Sequence, residues 1–308
     1  MGTFLGIDLG GTNIKFTIVE IQGGSFRELQ KGQITTEASS GPEHVTKRIA
    51  DLISSFDDVY STEGVAVAVP GIFDHDNGNI LLFPNLPGNW NQYPLVDYLT
   101  ELTGKKISLI NDARAFCLAE STLGAGRGHR FVACIVLGTG VGGGLIIDGR
   151  IHEGTTKSAG EIAHQVVFPD GPLCGCGTRG CLEALTSSAA ISSLAGTESP
   201  EDAYKRAMSG DHRALDAFAQ VGRWLGIGLA NVNAVFSPSI FIVGGGVAQA
   251  GDLLLNFIRE ELHNRNNLWP NSNFEVVPAQ LSFFAGATGA ALKAAAVAGT
   301  QFNFTSIT

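Results

Sequence analysis

Three of the five cysteines in this chain lie within eight residues, at Cys174, Cys176 and Cys181, and His164 stands ten residues upstream. Soft ligands at that density suggest a redox pair, a disulfide knot or a metal clip. Cys-x-Cys is not the Cys-x-x-Cys spacing of thiol redox motifs, and no thioredoxin-like pattern surrounds it. Glycines 175, 177 and 180 let the segment bend until three sulfurs converge. With His164 the set is Cys3His, a closed tetrahedral set for Zn2+ with no position left for a reactive water. The expectation is a structural zinc. Glu161 and Glu183 flank the knuckle, and His164 can ligate with one ring nitrogen while offering the other to a ligand.

A second candidate is Asn111-Asp112, which follows the apolar run KISLI (106–110) and opens the helical pattern ARAFCLAESTLG. A carboxylate at the C-terminal end of a strand is placed for chemistry, and a general base is one use for it. An aspartate opening a helix is also an ordinary N-cap. On spacing alone the cap is favoured.

Three glycine runs complete the set. Asp8-Leu9-Gly10-Gly11-Thr12-Asn13-Ile14-Lys15 puts an acid at a strand end, then two glycines and a hydroxyl. Backbone N–H groups in such a turn can cradle phosphate oxygens, and Asp8 can hold a Mg2+-bound water. A plain hairpin reads almost equally well there. Gly138-Thr139-Gly140-Val141-Gly142-Gly143-Gly144 repeats the pattern. It is neither a Walker A loop nor a dinucleotide fingerprint, because no Gly-Lys-Ser/Thr follows and it leads into a strand rather than a helix. Gly244-Gly245-Gly246, after the apolar run IFIV, offers a bare backbone surface suited to the flat face of adenine.

The elements that must position these residues alternate. Strand patterns cover 64–69, 106–110, 131–137, 144–149 and 239–245, and helical patterns cover 42–55, 112–123, 186–194, 211–235, 249–264 and 285–298. Alternation of this kind means an α/β protein. Two strand–glycine turn–strand units, one near residue 6 and one near 136, each open half of the chain. They suggest two related α/β lobes with a ligand between them. The expected division is a small lobe over 1–111 and a larger lobe over 112–289 that carries the zinc segment 164–183. The Ala-rich C-terminal helix, extended to 290–308, is a candidate to pack back on the first lobe.

Composition narrows the function. At 308 residues the chain can bury two cores, and 44% hydrophobic with 16% charged residues is a globular balance. A net charge of −9 argues against nucleic acid or a membrane surface as partner. No signal-peptide pattern or spanning run of apolar residues is present, so a cytoplasmic protein with reduced thiols is expected. Cys117 and Cys134 sit in apolar runs and read as small buried hydrophobes.

Together these stretches resemble the ROK family of the sugar kinase/Hsp70/actin superfamily, in particular its bacterial glucokinase-like members. GIDLGGTNIK is similar to the family's first phosphate motif, LGTGVGGG to its second and VGGGV to its adenosine motif. PNLPGNW (84–90) resembles the sugar loop, INDARAFCLAE (110–120) the catalytic-aspartate helix, and GEIAH with CGCGTRGCLE the signature and zinc segment. The resemblance runs from residue 6 to about 290.

It implies two actin/ribonuclease H-like lobes with an active-site cleft between them, and ATP-dependent phosphorylation of a hexose 6-hydroxyl, glucose first. By resemblance Asp112 is the general base. Gly71, Asn85, Asn111, Asp112, Glu161, His164 and Glu183 are implied for sugar. Asp8, Gly10, Gly11, Thr12, Asn13, Lys15, Gly138, Thr139, Gly140, Gly142, Gly244, Gly245 and Gly246 are implied for ATP and Mg2+. A homodimer is implied by the family.

N-acetylmannosamine, N-acetylglucosamine, mannose and allose are the competing substrates, and polyphosphate is a competing donor. A sugar-sensing regulator is the non-enzymatic alternative. The first phosphate motif begins at Gly6, which leaves no expected DNA-binding segment ahead of it. Two departures stand out: Ala163 replaces the usual glycine of the signature, and Arg114 the asparagine of the catalytic helix.

Overall fold

Strands β1 (Gly2–Leu9) and β2 (Asn13–Gln22) form the antiparallel hairpin expected around Gly10–Asn13, with Asp8 and Lys15 directly opposite each other. The computed structural model describes residues 2–84, 86–267, 273–301 and 306–307. β3 (Ser25–Thr35) extends the meander, and its mostly polar residues give little apolar signal in the sequence. α1 (Pro42–Tyr60) begins with proline in its first turn, where the missing N–H is not needed, and turns Val45, Ile49 and Ile53 inward.

β4 (Gly64–Val69) runs parallel to β1, and five of its six residues are buried, as a strand covered on both faces requires. A short ladder of β5 (Ile72–Phe73) and β6 (Ile80–Leu82) follows, then α2 (Leu95–Thr103), β7 (Ile107–Asn111) and α3 (Asp112–Leu123).

The second half opens with the β8 (Phe131–Leu137) and β9 (Val141–Ile147) hairpin and the short β10 (Arg150–Ile151). Four helices follow: α4 (Leu182–Thr186), α5 (Ser188–Ala195), α6 (Pro200–Met208) and α7 (His212–Phe236). The pattern reading omits α6, although its start is well marked. The Ser199 hydroxyl accepts from Asp202 N–H, with Pro200 and Glu201 in the first turn. β11 (Ile240–Gly244), α8 (Asp252–Asn264) and β12 (Glu275–Pro278) complete this half, and α9 (Ala285–Val297) and β13 (Ser306–Ile307) end the chain.

The chain divides into two compact units, Met1–Leu123 with Phe283–Thr308, and Gly124–Ser282. α3 therefore belongs with the first unit, twelve residues past the division at 111/112 that the sequence pattern suggests. The physical reason is close helix packing. α9 lies on β1, β4 and α3, and a methyl group at Gly289 would fall 1.8 Å from the Ala115 carbonyl oxygen. One at Gly6 would fall 2.0 Å from the Ala287 carbonyl oxygen. Only glycine lets these backbones approach so closely.

The first sheet has the order β13-β3-β2-β1-β4-β7 and the second β10-β9-β8-β11-β12. From β3 to β7 and from β10 to β12 the order matches, and so does the sense of every pairing: two antiparallel, then two parallel. The similarity of the two glycine hairpins thus extends to whole sheets. Each unit has its own core, one around Ile7, Ile18, Ile49 and Val67, the other around Ile135, Leu225, Phe241 and Ile258. No helix among the described residues is long and apolar enough to cross a membrane.

Candidate active site and metal centre

In the first unit, β7 ends at Asn111 and α3 starts at Asp112. The Asn111 Oδ1 accepts the Arg114 backbone N–H at 3.2 Å, which is the N-cap bond. Capping therefore falls to Asn111, and the cap reading of Asp112 is corrected. Asp112 sits half-buried one residue on, and its Oδ1 accepts a local bond from Ala113 N–H at 2.8 Å. Asn111 Nδ2 also donates to the Gly71 carbonyl oxygen at 3.4 Å. Gly71 has φ +101°, and a side chain there would strike the Leu82 carbonyl oxygen at 2.1 Å. Asn85 lies outside the described residues.

The first glycine turn is braced from a distance. Gly10 N–H donates to the Asn13 carbonyl oxygen at 3.0 Å, closing the turn. Thr36, at the end of β3, donates its hydroxyl to the Gly10 oxygen at 2.6 Å and its N–H to the Thr12 oxygen at 2.8 Å. Gly11 and Thr12 stay exposed at the tip. Lys15 Nζ stands 3.5 Å from Asp8 Oδ2. Burial pushes the Asp8 carboxyl above the ordinary carboxylate value, and the charge and hydrogen bond of Lys15 pull it back.

In the second unit the turn is shorter than the sequence suggests. Gly138–Gly140 form it, closed by Gly138 N–H to the Gly140 oxygen at 2.9 Å. Gly142, Gly143 and Gly144 instead lie inside β9, where Gly142 pairs with Val136. The apolar residues of β8 demand a partner along their whole length, and glycine does not prevent it. Ser188, at the start of α5, donates both N–H (2.9 Å) and hydroxyl (2.7 Å) to the Gly138 oxygen. Gly244 ends β11, Gly245 turns the chain at φ +89°, and Gly246 is exposed, with nothing within 4 Å of where a methyl would sit.

The knuckle converges. The ligand atoms of His164, Cys174, Cys176 and Cys181 all lie within 4.8 Å of one another. Cys176 Sγ is 3.6 Å from Cys181 Sγ, and Cys174 Sγ is 3.7 Å from His164 Nδ1. Zn–S bonds of about 2.3 Å in a tetrahedron put sulfurs roughly 3.8 Å apart, so the donor set fits a zinc ion. Burial pushes the Cys174 thiol up to about 12, with the Glu183 carboxylate adding to it. Backbone hydrogen bonding at Thr178 brings the exposed Cys176 down to about 7. A bound cation would deprotonate all three.

Glu183 joins turn and knuckle. Its Oε2 accepts Val141 N–H at 3.1 Å and its Oε1 accepts the Cys174 thiol at 3.4 Å. Thr139, Cys174, Glu183, Ser187 and Trp224 line a cavity of about 500 Å3 in this unit. Glu161 is exposed, at the N-terminal end of a 3-10 turn that carries His164.

The ROK family model matches residues 4–296, nearly the whole chain. The chain belongs to the ROK family. A glucokinase from Thermotoga maritima is 37% identical, over 93% of this chain and 95% of its own. The ROK hexokinase from Thermus thermophilus superposes with a TM-score of 0.84 at 32% identity, covering 97% of this chain and all of its own. A ROK glucokinase from Streptomyces griseus, solved with glucose and AMPPNP, gives a TM-score of 0.78 at 33% identity, over 95% of this chain and 99% of its own. The fold is that of the ROK sugar kinases, two α/β sheets with helices of the actin-like class.

The two departures from the ROK pattern are both internal. Ala163 is fully buried in the core of the second unit, so its methyl group packs inward. Arg114 is only 4% exposed. Sequence reasoning missed Thr36 and Ser188. Both brace glycine turns from 26 and 50 residues away, and no local pattern marks a hydroxyl whose partner is a distant carbonyl.

Proposed function

We propose that this ROK protein is an ATP-dependent hexokinase of glucokinase type, transferring a phosphoryl group to the 6-hydroxyl of glucose. The observation that carries the reading is the Asn111-Asp112 pair. Asn111 caps α3, so the Asp112 carboxylate at the end of a parallel strand is not needed for that purpose. Asp112 takes the proton of the 6-hydroxyl as the oxygen attacks, which is the work of a general base in phosphoryl transfer. Asn111 and the Gly71 carbonyl of the first unit, together with Asn85, hold sugar hydroxyls. Glu161, His164 and Glu183 are the further candidates that the ROK resemblance implies for sugar.

For the nucleotide, Gly10 and Gly138 close the two turns with their own N–H groups, and the N–H groups of Gly11, Thr12 and Asn13 and those of Thr139 and Gly140 donate to phosphate oxygens. Gly244, Gly245 and Gly246 present a flat backbone to adenine, and Gly142 supports its turn from within β9. Mg2+, when bound, neutralises charge on the transferred phosphate. Asp8 is the acid that the ROK resemblance implies for holding it through a water.

Zinc held by His164, Cys174, Cys176 and Cys181 is structural. Nδ1 of His164 faces the sulfurs, which leaves Nε2 for a sugar hydroxyl. With Cys174 as thiolate, its hydrogen bond to Glu183 is lost and Oε1 is released for substrate. Five free cysteines suit the reducing cytoplasm, and a homodimer, to be checked by light scattering, follows the ROK reading.

The test is an ADP-release assay with MgATP across glucose, mannose, allose, fructose, N-acetylglucosamine and N-acetylmannosamine. Glucose is expected to give the highest kcat/KM. Turnover of none of them would overturn the kinase reading.

A further inference from the structure

The sequence around Phe283-Phe284 carries no motif, and the Phe283 ring is left 53% exposed. Its neighbour explains the exposure. Lys15 Nζ lies 4.2 Å from the centroid of the Phe283 ring, within cation–π range. The same ammonium stands 3.5 Å from Asp8 Oδ2, so Lys15 is held between a carboxylate and an aromatic face. Phe284 packs edge-on to Phe283 at 5.3 Å between centroids, and Lys31 Nζ approaches the Phe284 ring at 5.6 Å.

Both lysines come from the meander that carries the first glycine turn. Lys15 is on β2, opposite Asp8 on β1 and Gln33 on β3, and Lys31 is on β3 opposite Thr17. The aromatic pair closes the short turn that leads into α9, whose Gly286 presses on Asp8: a methyl there would lie 2.8 Å from the carboxylate.

A lysine has four rotatable bonds and about 2 kcal/mol of rotamer entropy, so an unrestrained ammonium must be ordered each time an anion binds. Here two contacts order it in advance. We propose that Phe283 is a positioning residue for the nucleotide: its ring holds the Lys15 ammonium beside Asp8, two residues past the Gly10–Asn13 turn, so that the incoming phosphates meet a cation already in place. The inference rests on the kinase reading for its ligand, and on the two distances for its geometry. Phe283 touches no phosphate itself and acts through Lys15. A leucine of similar bulk keeps the apolar contact and loses the quadrupole, whereas tryptophan keeps and strengthens it.

The experiment is calorimetric binding of Mg-AMPPNP to the full-length protein, which needs no turnover. Phe283→Leu is expected to weaken binding about two- to fivefold, the size of an exposed cation–π contact. Phe283→Trp is expected to keep wild-type affinity. In a Lys15→Met background, Phe283→Leu is expected to do nothing further. KM for glucose should not move in Phe283→Leu, which separates positioning from general damage to the fold. Wild-type affinity in Phe283→Leu, or an effect of equal size in the Lys15→Met background, overturns the inference. A wild type that binds Mg-AMPPNP but turns over no hexose sinks the kinase reading alone. One that binds no nucleotide sinks both.

Discussion

The two glycine turns sit at equivalent places in sheets of the same strand order, yet they are braced by different means. In the first, Thr36 reaches from the end of β3 with a hydroxyl and an N–H to the Gly10 and Thr12 carbonyls. That brace is backbone geometry plus one buried hydroxyl, in a unit whose helix α9 is seated by glycine-level contact on β1 and α3. In the second, Ser188 supplies the bond from α5, and Glu183 ties Val141 N–H to the Cys174 thiol. While Cys174 is a thiol, the second turn is therefore joined to the Cys3His knuckle through Glu183. One sheet design has acquired two kinds of support, glycine-level packing in one half and a Glu183 link to the Cys3His group in the other.

Four measurements can break or sharpen that contrast. The largest effect is expected in the first unit, at Asp112. Asp112→Asn should lower kcat about 10²- to 10⁴-fold, the usual share of a general base, while the melting temperature and sugar binding stay near wild type. A variant within tenfold of wild-type kcat would remove Asp112 from the chemistry.

Next comes the clip. Cys181→Ser should abolish zinc in elemental analysis, lower the melting temperature and raise KM for sugar through Glu183 and His164. Stoichiometric zinc retained in that variant, or full activity without zinc, would break the link between knuckle and site. Thiol labelling sharpens the same point. With the metal removed, Cys176 titrates near 7 and Cys174 near 12, so at pH 8 an alkylating reagent should take Cys176 first and leave Cys174. The zinc-loaded protein should resist at both.

The two braces give the smaller effects. Thr36→Val deletes the hydroxyl bond to the buried side of the first turn, and a hydrogen bond of about 0.5–1.5 kcal/mol corresponds to roughly a two- to tenfold rise in KM for ATP. Ser188→Ala should do less, because the Ser188 backbone N–H still holds the Gly138 oxygen. Equal effects of the two substitutions would mean that the turns are braced alike.

Much of the fold was legible because its strands announce themselves. GVAVAV and FVACIVL are apolar on both faces, and the helical periods of α7 and α8 place their boundaries within a few residues, while α1 runs five residues past the expected end at 55. β3 was not legible, since ten of its eleven residues are at least partly exposed and its place depends on pairing with β2. The candidate site residues stand on residue type and on resemblance. The division at Asp112 was misplaced because α3 follows a strand that ends one sheet, while its packing partner α9 comes more than 150 residues later.

By itself the sequence determined the chemistry on offer: a carboxylate after a strand, glycine turns with bare N–H groups, and three thiols with one imidazole. Those are properties of residue type and short spacing. Only the tertiary structure decided who caps α3, which glycines turn and which extend a strand, and that Glu183 joins the second turn to the knuckle. It alone set Lys15 between Asp8 and Phe283. Each of these is a contact between residues distant in the chain or a choice between competing backbone partners, and hydrogen bonds, cation–π contacts and close glycine packing depend on angstrom-scale distances that no one-dimensional pattern records.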